Sequence, residues 1–229
     1  MRLECKNVVK RYYSVVALNN LNMLLESGKV YALIGPNGSG KSTIMKIMAG
    51  LSQPTSGDVT LDGENIGWRT KAKIAYMPTE PYFFTYMRCS DVAKYHQDFF
   101  DDFDIKRFEA LMADMQVPLD RKMRELSSGM MAKLKIAITL SRNCPLILLD
   151  EPMNGIDMIS RDHIMQAIIK NVRKDTTIVI SSHMVEELEK IVDSAIFMQN
   201  GANVLQGDVE ELREKRGRSI ADIYREIYG

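Results

Sequence analysis

Residues 30–51 read Val30-Tyr31-Ala32-Leu33-Ile34, then Gly35-Pro36-Asn37-Gly38-Ser39-Gly40-Lys41-Ser42-Thr43, then Ile44-Met45-Lys46-Ile47-Met48-Ala49-Gly50-Leu51. The first block is a short apolar run bounded by glycine, the pattern of a buried strand. Ile44, Ile47, Met48 and Leu51 follow at i, i+3, i+4 and i+7 and predict one face of a helix. A glycine-rich loop therefore joins a strand to a helix. Such a loop suits phosphate, because its backbone N–H groups and the helix N-terminus all point at one anion. Glycines at 35, 38 and 40 let the chain curl with positive φ and keep Cβ atoms out of the way. In the pattern G-x-x-x-x-G-K-[ST], Lys41 reaches the β- and γ-phosphates and the Ser42 hydroxyl ligates Mg²⁺.

The 229 residues suffice for one large α/β domain with a sizeable core, and 45% hydrophobic with 26% charged residues is ordinary for a globular protein. Thirty basic and thirty acidic residues cancel, so the global charge footprint of a dedicated nucleic-acid binder is missing. Cys5, Cys89 and Cys144 are isolated, odd in number and without C-x-x-C spacing, which predicts structural thiols in a reducing compartment. Residues 1–6 carry no apolar leader pattern, and no run reaches the length of a membrane span. The expectation is a cytoplasmic protein whose membrane spans, where it needs them, come from a partner.

Residues 3–12 and 21–25 read as strands around Asn19-Asn20, and Ser27-Gly28 turns the chain into the phosphate-loop strand. Val59 and Leu61 share a face of a further strand, with Asp62-Gly63 as a hairpin turn. An antiparallel flank is thus expected beside the loop. Tyr12 and Tyr13 sit in it. Either could stack on a base, and a half-buried strand tyrosine is the alternative that the pattern alone favours. From Ile74 to Arg124 the composition turns aromatic and helical. Ser90 is placed to cap a helix with Val92, Tyr95, His96 and Phe99 on one face; Asp104 is placed to cap another carrying Phe108, Leu111, Met112 and Met115. His96 reads as a packed core histidine and His163 as a helix-surface one. Pro78-Thr79-Glu80-Pro81 opens this insertion, and Tyr82-Phe83-Phe84-Thr85-Tyr86 is equally readable as local core or as a docking surface. After Gly207 two short helices are expected, the last capped by Ser219 with Asp222.

Leu146-Ile147-Leu148-Leu149 is a continuous apolar strand ending in Asp150-Glu151-Pro152. Ligands of open α/β sheets bind at strand carboxyl ends, which brings both carboxylates beside the phosphate loop. Asp150 suits Mg²⁺ held through water, and Glu151 suits orienting or deprotonating an attacking water. Leu126-Ser127-Ser128-Gly129-Met130 precedes a helix with Leu134 and Ile138 on one face, and small residues at a helix N-terminus again suit an anion. Residues 177–183 are one more strand with a polar tip. His183 there could donate to a γ-phosphate oxygen, and in isolation a strand-end surface histidine is the alternative.

In this order these segments resemble the nucleotide-binding domain of ATP-binding-cassette (ABC) transporters over nearly the whole chain, most specifically through the phosphate loop joined with Leu126-Ser127-Ser128-Gly129-Met130, Asp150-Glu151-Pro152, Asn154-Gly155-Ile156-Asp157 and His183. The likeness looks closest to separately encoded ATPase subunits of bacterial exporters, since neither fused spans nor a long regulatory tail is seen. It implies a P-loop α/β ATPase domain over residues 1–229, with a mostly parallel sheet. Residues 1–80 and 129–229 would form the core and β flank, and 81–128 an inserted helical subdomain. It further implies that Asn37, Gly38, Ser39, Gly40, Lys41, Ser42 and Thr43 hold ATP phosphates and Mg²⁺, with Tyr12 stacking on adenine. Asp150 is the second metal-side carboxylate, Glu151 the catalytic base, His183 the switch histidine, and Asp157 the residue that communicates across a dimer. Ser127 and Gly129 would meet the γ-phosphate held by the other subunit of a homodimer or heterodimer. That dimer would drive a separately encoded membrane permease from the cytoplasmic face.

Two segments depart from the family pattern. Ser128 and Met130 replace the usual Gly and Gln of the signature segment, which leaves the helix N-terminus and Ser127 in place. Thr79 stands where a Gln usually touches Mg²⁺ and the attacking water, and its hydroxyl is two carbons shorter. ATP binding is therefore expected intact, with hydrolysis or its coupling altered. Glu80 is a weak substitute beside phosphates. The competing readings are a non-transport ATPase acting on nucleic acid or ribosomes, and a low-turnover regulatory module supported by Thr79 alone.

Overall fold

The structure, a computed structural model, describes every residue except 172 and 174. Strand β1 (Arg2–Tyr12) turns at Tyr13 and Ser14 into β2 (Val15–Glu26), not at Asn19-Asn20 as the sequence suggests. Both asparagines lie inside β2, where Asn20 takes φ 52° and the pairing with β1 slips register. Asn tolerates the left-handed region, so a bulge absorbs it without ending the strand. The chain continues through β3 (Val30–Ile34), α1 (Lys41–Met48), β4 (Ser56–Leu61), β5 (Glu64–Asn65), α2 (Trp68–Lys71) and β6 (Ile74–Met77). Next come α3 (Cys89–Phe99), α4 (Ile105–Asp114), α5 (Ser128–Leu140), β7 (Leu146–Asp150), α6 (Met158–Asn171) and β8 (Thr177–Ser182). The last elements are α7 (Val185–Leu188), β9 (Ser194–Gln199), β10 (Ala202–Asp208), α8 (Val209–Arg216) and α9 (Ile220–Tyr228).

Two sheets result, as expected. One has the order β10-β9-β3-β8-β7-β6, parallel except for β10 on its edge; the other is the antiparallel flank β2-β1-β4-β5. Strands β3, β7 and β8 are buried along their whole length. Their alternate residues enter two separate cores, because successive strand side chains point to opposite faces. Ala32, Ile34, Ile147, Leu149 and Ile180 pack towards α3, α4 and α5, whereas Leu33, Leu146, Leu148 and Val179 pack towards α1 and the antiparallel flank. A sheet covered on both faces needs apolar residues at every position, hence the continuous runs read in the sequence.

Several helix details differ from the periodicity reading. Helix α1 ends at Met48; Gly50 takes φ 70° and Leu51 is 64% exposed rather than on the buried stripe. In α3 the buried face is Cys89, Val92, Ala93 and His96, while Tyr95 and Phe99 are exposed. The cap of α3 also lies earlier, since the Asp91 carboxylate accepts the Arg88 N–H and Ser90 falls inside the helix. Helix α5 is enclosed from Ala132 to Leu140, not one-faced, because α4, α6, β6 and β7 all pack around it. His163, expected on a helix surface, is half-buried and accepts from the Lys133 ammonium at 3.0 Å. The Asp104 cap and the buried Phe108, Leu111, Met112 and Met115 are found as read, as is Ser219 capping α9 through the Asp222 N–H. All three cysteines are buried thiols, and burial pushes Cys5 up to about 12. Among the described residues no helix is long and apolar enough to cross a membrane.

Candidate active site

Three parallel strands deliver the site at their carboxyl ends. The loop after β3 curls back on itself, with Gly38 at φ 80° and Gly40 at φ 103°, and α1 starts at Lys41. Gly40 has a second reason to lack a side chain. A Cβ there would stand 2.7 Å from the Ala17 carbonyl oxygen of β2. The free N–H groups of the first turn of α1 are left facing the loop, the arrangement that binds anions.

Lys41 is 5% exposed, and its ammonium donates to the carbonyls of Gly35 at 2.7 Å and Pro36 at 3.2 Å. Its third neighbour is Glu151 Oε1 at 3.4 Å. Asp150, at the end of β7, is almost fully buried and accepts from Ser42 Oγ at 2.9 Å, Ser181 Oγ at 2.7 Å and the Tyr76 hydroxyl at 3.1 Å. Burial, reinforced by the Asp150 charge, pushes the Tyr76 phenol up, so it stays a donor. Glu151 takes φ 47°, a left-handed conformation costing roughly 1–2 kcal/mol for a non-glycine residue. The kink is held by its own N–H, which donates to Ser181 Oγ at 2.8 Å. It swings the side chain across the phosphate loop. There Oε2 meets His183 Nδ1 at 3.0 Å, while buried Oε1 has no hydrogen-bond partner. Such an orphan acceptor, beside an ammonium and at the mouth of an anion-binding loop, has room for one more donor, such as a water.

The donor set at Ser42 and Asp150 fits Mg²⁺, a hard ion that takes one or two protein oxygens and fills the rest of its shell with water and phosphate. Among the described residues no group of three His, Cys, Asp or Glu forms a metal cage. Asn37 is exposed on the loop, and Ser39 is buried with its hydroxyl lacking a partner. Thr43 is half-buried in the first turn of α1.

The remaining residues singled out from the sequence lie apart from this cluster. Ser127 caps α5 by accepting the Met130 N–H at 3.2 Å and is otherwise exposed. Gly129 packs against the start of α6, where a Cβ would stand 2.8 Å from Ser160 Oγ and 3.3 Å from Asp157 Oδ2. The Ser160 N–H donates to Asp157 at 2.9 Å and holds that carboxyl below the ordinary carboxylate range. Exposed Ser127 and Asp157, with buried Gly129 between α5 and the start of α6, thus make a second group with no hydrogen bond to Lys41, Asp150 or Glu151 among the described residues. Tyr12 ends β1, 43% exposed, with the Lys10 ammonium 5.0 Å from its ring; Tyr13 is fully exposed at the turn. Thr79 is exposed and turned inward, its hydroxyl donating to the Asp150 main-chain carbonyl at 3.4 Å. Sequence reasoning passed over Ser181 and Tyr76, which read only as strand residues, and Lys135. The signal for Lys135 is a lysine, like Lys133, within a largely apolar helix.

Comparison with known proteins gives the family. The sequence pattern of the family described as "ABC transporter" matches residues 18–154. The lantibiotic transport ATP-binding protein SrtF of Streptococcus pyogenes is 35% identical over 209 residues, covering 91% of each chain. The ABC transporter ATP-binding protein YtrB of Bacillus subtilis is 30% identical over 93% of this chain and 74% of its own. A solved structure titled as the ATP binding subunit of an ABC transporter superposes over the full length of both chains with TM-score 0.89 at 24% identity, a likeness of fold. With the pattern spanning more than half of its length and such relatives over nine-tenths of it, this chain belongs to the ABC transporter family, as one of its ATP-binding, ATP-hydrolysing subunits.

Proposed function

We infer that the chain powers a separately encoded membrane permease by closing with a second ATPase subunit around ATP and reopening on hydrolysis. The observation that carries the reading is the convergence of Lys41, Ser42, Asp150, Glu151 and His183 at the ends of β3, β7 and β8. In it Lys41 and the loop amides bind the phosphates, Ser42 and Asp150 hold Mg²⁺, and Glu151 takes the proton of the attacking water. His183 keeps Glu151 oriented and donates towards the γ-phosphate. Tyr12, half exposed at the end of β1, stacks on adenine.

The separation of Ser127, Gly129 and Asp157 from that cluster supports a head-to-tail dimer, in which each subunit's signature segment completes the partner's site. Residues 1–80 and 129–229 then act as the ATPase core and residues 81–128 as a helical arm. Between arm and core runs an apolar groove of about 680 Å³, lined by Tyr82, Phe83, Phe84, Tyr95, Phe100 and Ile138 among others. Of these, Tyr82, Phe84 and Tyr95 are exposed, and exposed aromatics beside an apolar groove suit a permease helix. In this reading the chain works at the cytoplasmic face of the membrane. One relative, the Nod factor export ATP-binding protein I of Burkholderia orbicola, carries an export name, which supports outward transport here.

A tagged Glu151→Gln chain, incubated with ATP and Mg²⁺ and recovered from detergent-solubilised membranes of its host, tests this reading. Co-purification of a multi-span protein is the expected result. Recovery of ribosomes or nucleoprotein without a membrane protein would overturn it.

A further inference from the structure

Lys135 lies on the enclosed length of α5 and is 5% exposed. It makes no ion pair among the described residues. Both of its hydrogen bonds go to main-chain carbonyls, Pro78 at 2.9 Å and Thr79 at 2.5 Å. Burying an ammonium is costly unless hydrogen bonds replace its water, and an alkyl side chain would fill the same space without that cost. The charge therefore serves those two carbonyls. They belong to the loop that leaves β6, whose Thr79 hydroxyl reaches the Asp150 carbonyl. The same loop runs on into Tyr82, Phe83 and Phe84, which line the groove with Pro78. One lysine on the signature helix thus holds the stretch of backbone that lies between the groove and the metal-side carboxylate.

We propose that Lys135 is a positioning residue for hydrolysis: it fastens the Pro78–Thr79 backbone to α5, so that a shift of the groove's occupant is transmitted to the end of β7. The inference rests on the assignment of site and groove given above. At neutral pH the fastening stands, because the amine, pushed down to about 8 by burial against the opposing pull of Asp150, keeps its proton in most molecules. Asp150 and Glu151 are adjacent, so a displaced loop moves the residue whose orphan oxygen faces the attacking water. Binding of ATP, which depends on the loop after β3, is left alone.

The test uses the full chain with Lys135→Met and Lys135→Gln, measuring kcat and KM for Mg-ATP and amide exchange over residues 77–86. For Lys135→Met, kcat falls about tenfold or more while KM stays within about threefold, and the exchange quickens about tenfold or more. Gln, one atom shorter but still a donor, recovers part of each loss. If the Met variant does not fold, the Gln variant is held to the same direction of change. A kcat that holds, or a loss carried by KM, overturns the proposal. Should the wild-type chain hydrolyse no ATP under any condition, the ATPase reading fails instead, and the exchange decides for Lys135: unchanged protection over residues 77–86 overturns the fastening.

Discussion

Replacing Glu151 by Gln keeps the side chain's shape and removes its charge, and the structure sets opposite consequences for turnover and for affinity. Oε1 is the buried oxygen without a hydrogen-bond partner, and Oε2 is tied to His183. A water at Oε1 loses its base. General-base catalysis contributes about 10²–10⁴-fold, or about 2.7–5.4 kcal/mol of barrier at 1.36 kcal/mol per tenfold. Turnover should therefore drop by about 10³-fold. Affinity moves the other way. At 3.4 Å and an effective dielectric of about 20, the attraction between Lys41 and Glu151 is about 5 kcal/mol before desolvation. ATP must displace that contact and accept a carboxylate beside its γ-phosphate. Removing the charge should tighten ATP binding by about tenfold, or about 1.4 kcal/mol, most of the Coulomb gain being lost to the solvation of a freed Lys41. Single-turnover hydrolysis of labelled ATP, equilibrium binding and size-exclusion chromatography read the three outcomes: slow cleavage, higher affinity and an accumulated ATP-bound dimer. Hydrolysis within threefold of wild type would remove Glu151 from its role. Unchanged or weaker binding would refute the charge-pair reasoning.

Gly40→Ala combines a Cβ 2.7 Å from the Ala17 carbonyl with φ +103°, so it should cost about 2 kcal/mol or more and weaken nucleotide binding; an unchanged melting temperature would contradict the close packing of loop and flank. Thr79→Gln should raise turnover several-fold at constant KM, since the longer amide reaches beyond the Asp150 carbonyl, and identical turnover with identical permease stimulation would count against any role for this position. Burial, opposed by the Val92 hydrogen bond and helped by Arg142, lowers the pKa of His96. As pH falls below about 6.5 the unfolded chain gains a proton there that the folded chain resists, so the unfolded state binds more protons and stability declines. Denaturation of wild type and His96→Leu from pH 7.5 to 5.5 should show a shallower decline in the variant, and parallel curves would exclude His96 as a contributor.

Much of the site was legible because its parts are local. The phosphate loop, Asp150-Glu151 and His183 each sit at the end of an apolar run, and strand carboxyl ends gather on one edge of a parallel sheet. The short apolar runs bounded by glycine or polar residues also read as strands of a sheet covered on both faces, whereas the parallel order of those strands was implied only by the family resemblance. What the sequence by itself could not determine depends on partners distant along the chain. Ser181 and Tyr76 became part of the site only once β6, β7 and β8 lay side by side and turned both hydroxyls onto Asp150. Periodicity misjudged α3 and α5 because it reports which residues are apolar, not how many neighbours enclose a helix. Tertiary packing alone decided that Lys135 ends on the backbone of Pro78 and Thr79 and that Glu151 is bent across Lys41. Hydrogen-bond geometry and burial are set by the whole fold, whereas strand, loop and helix are set largely within a few residues.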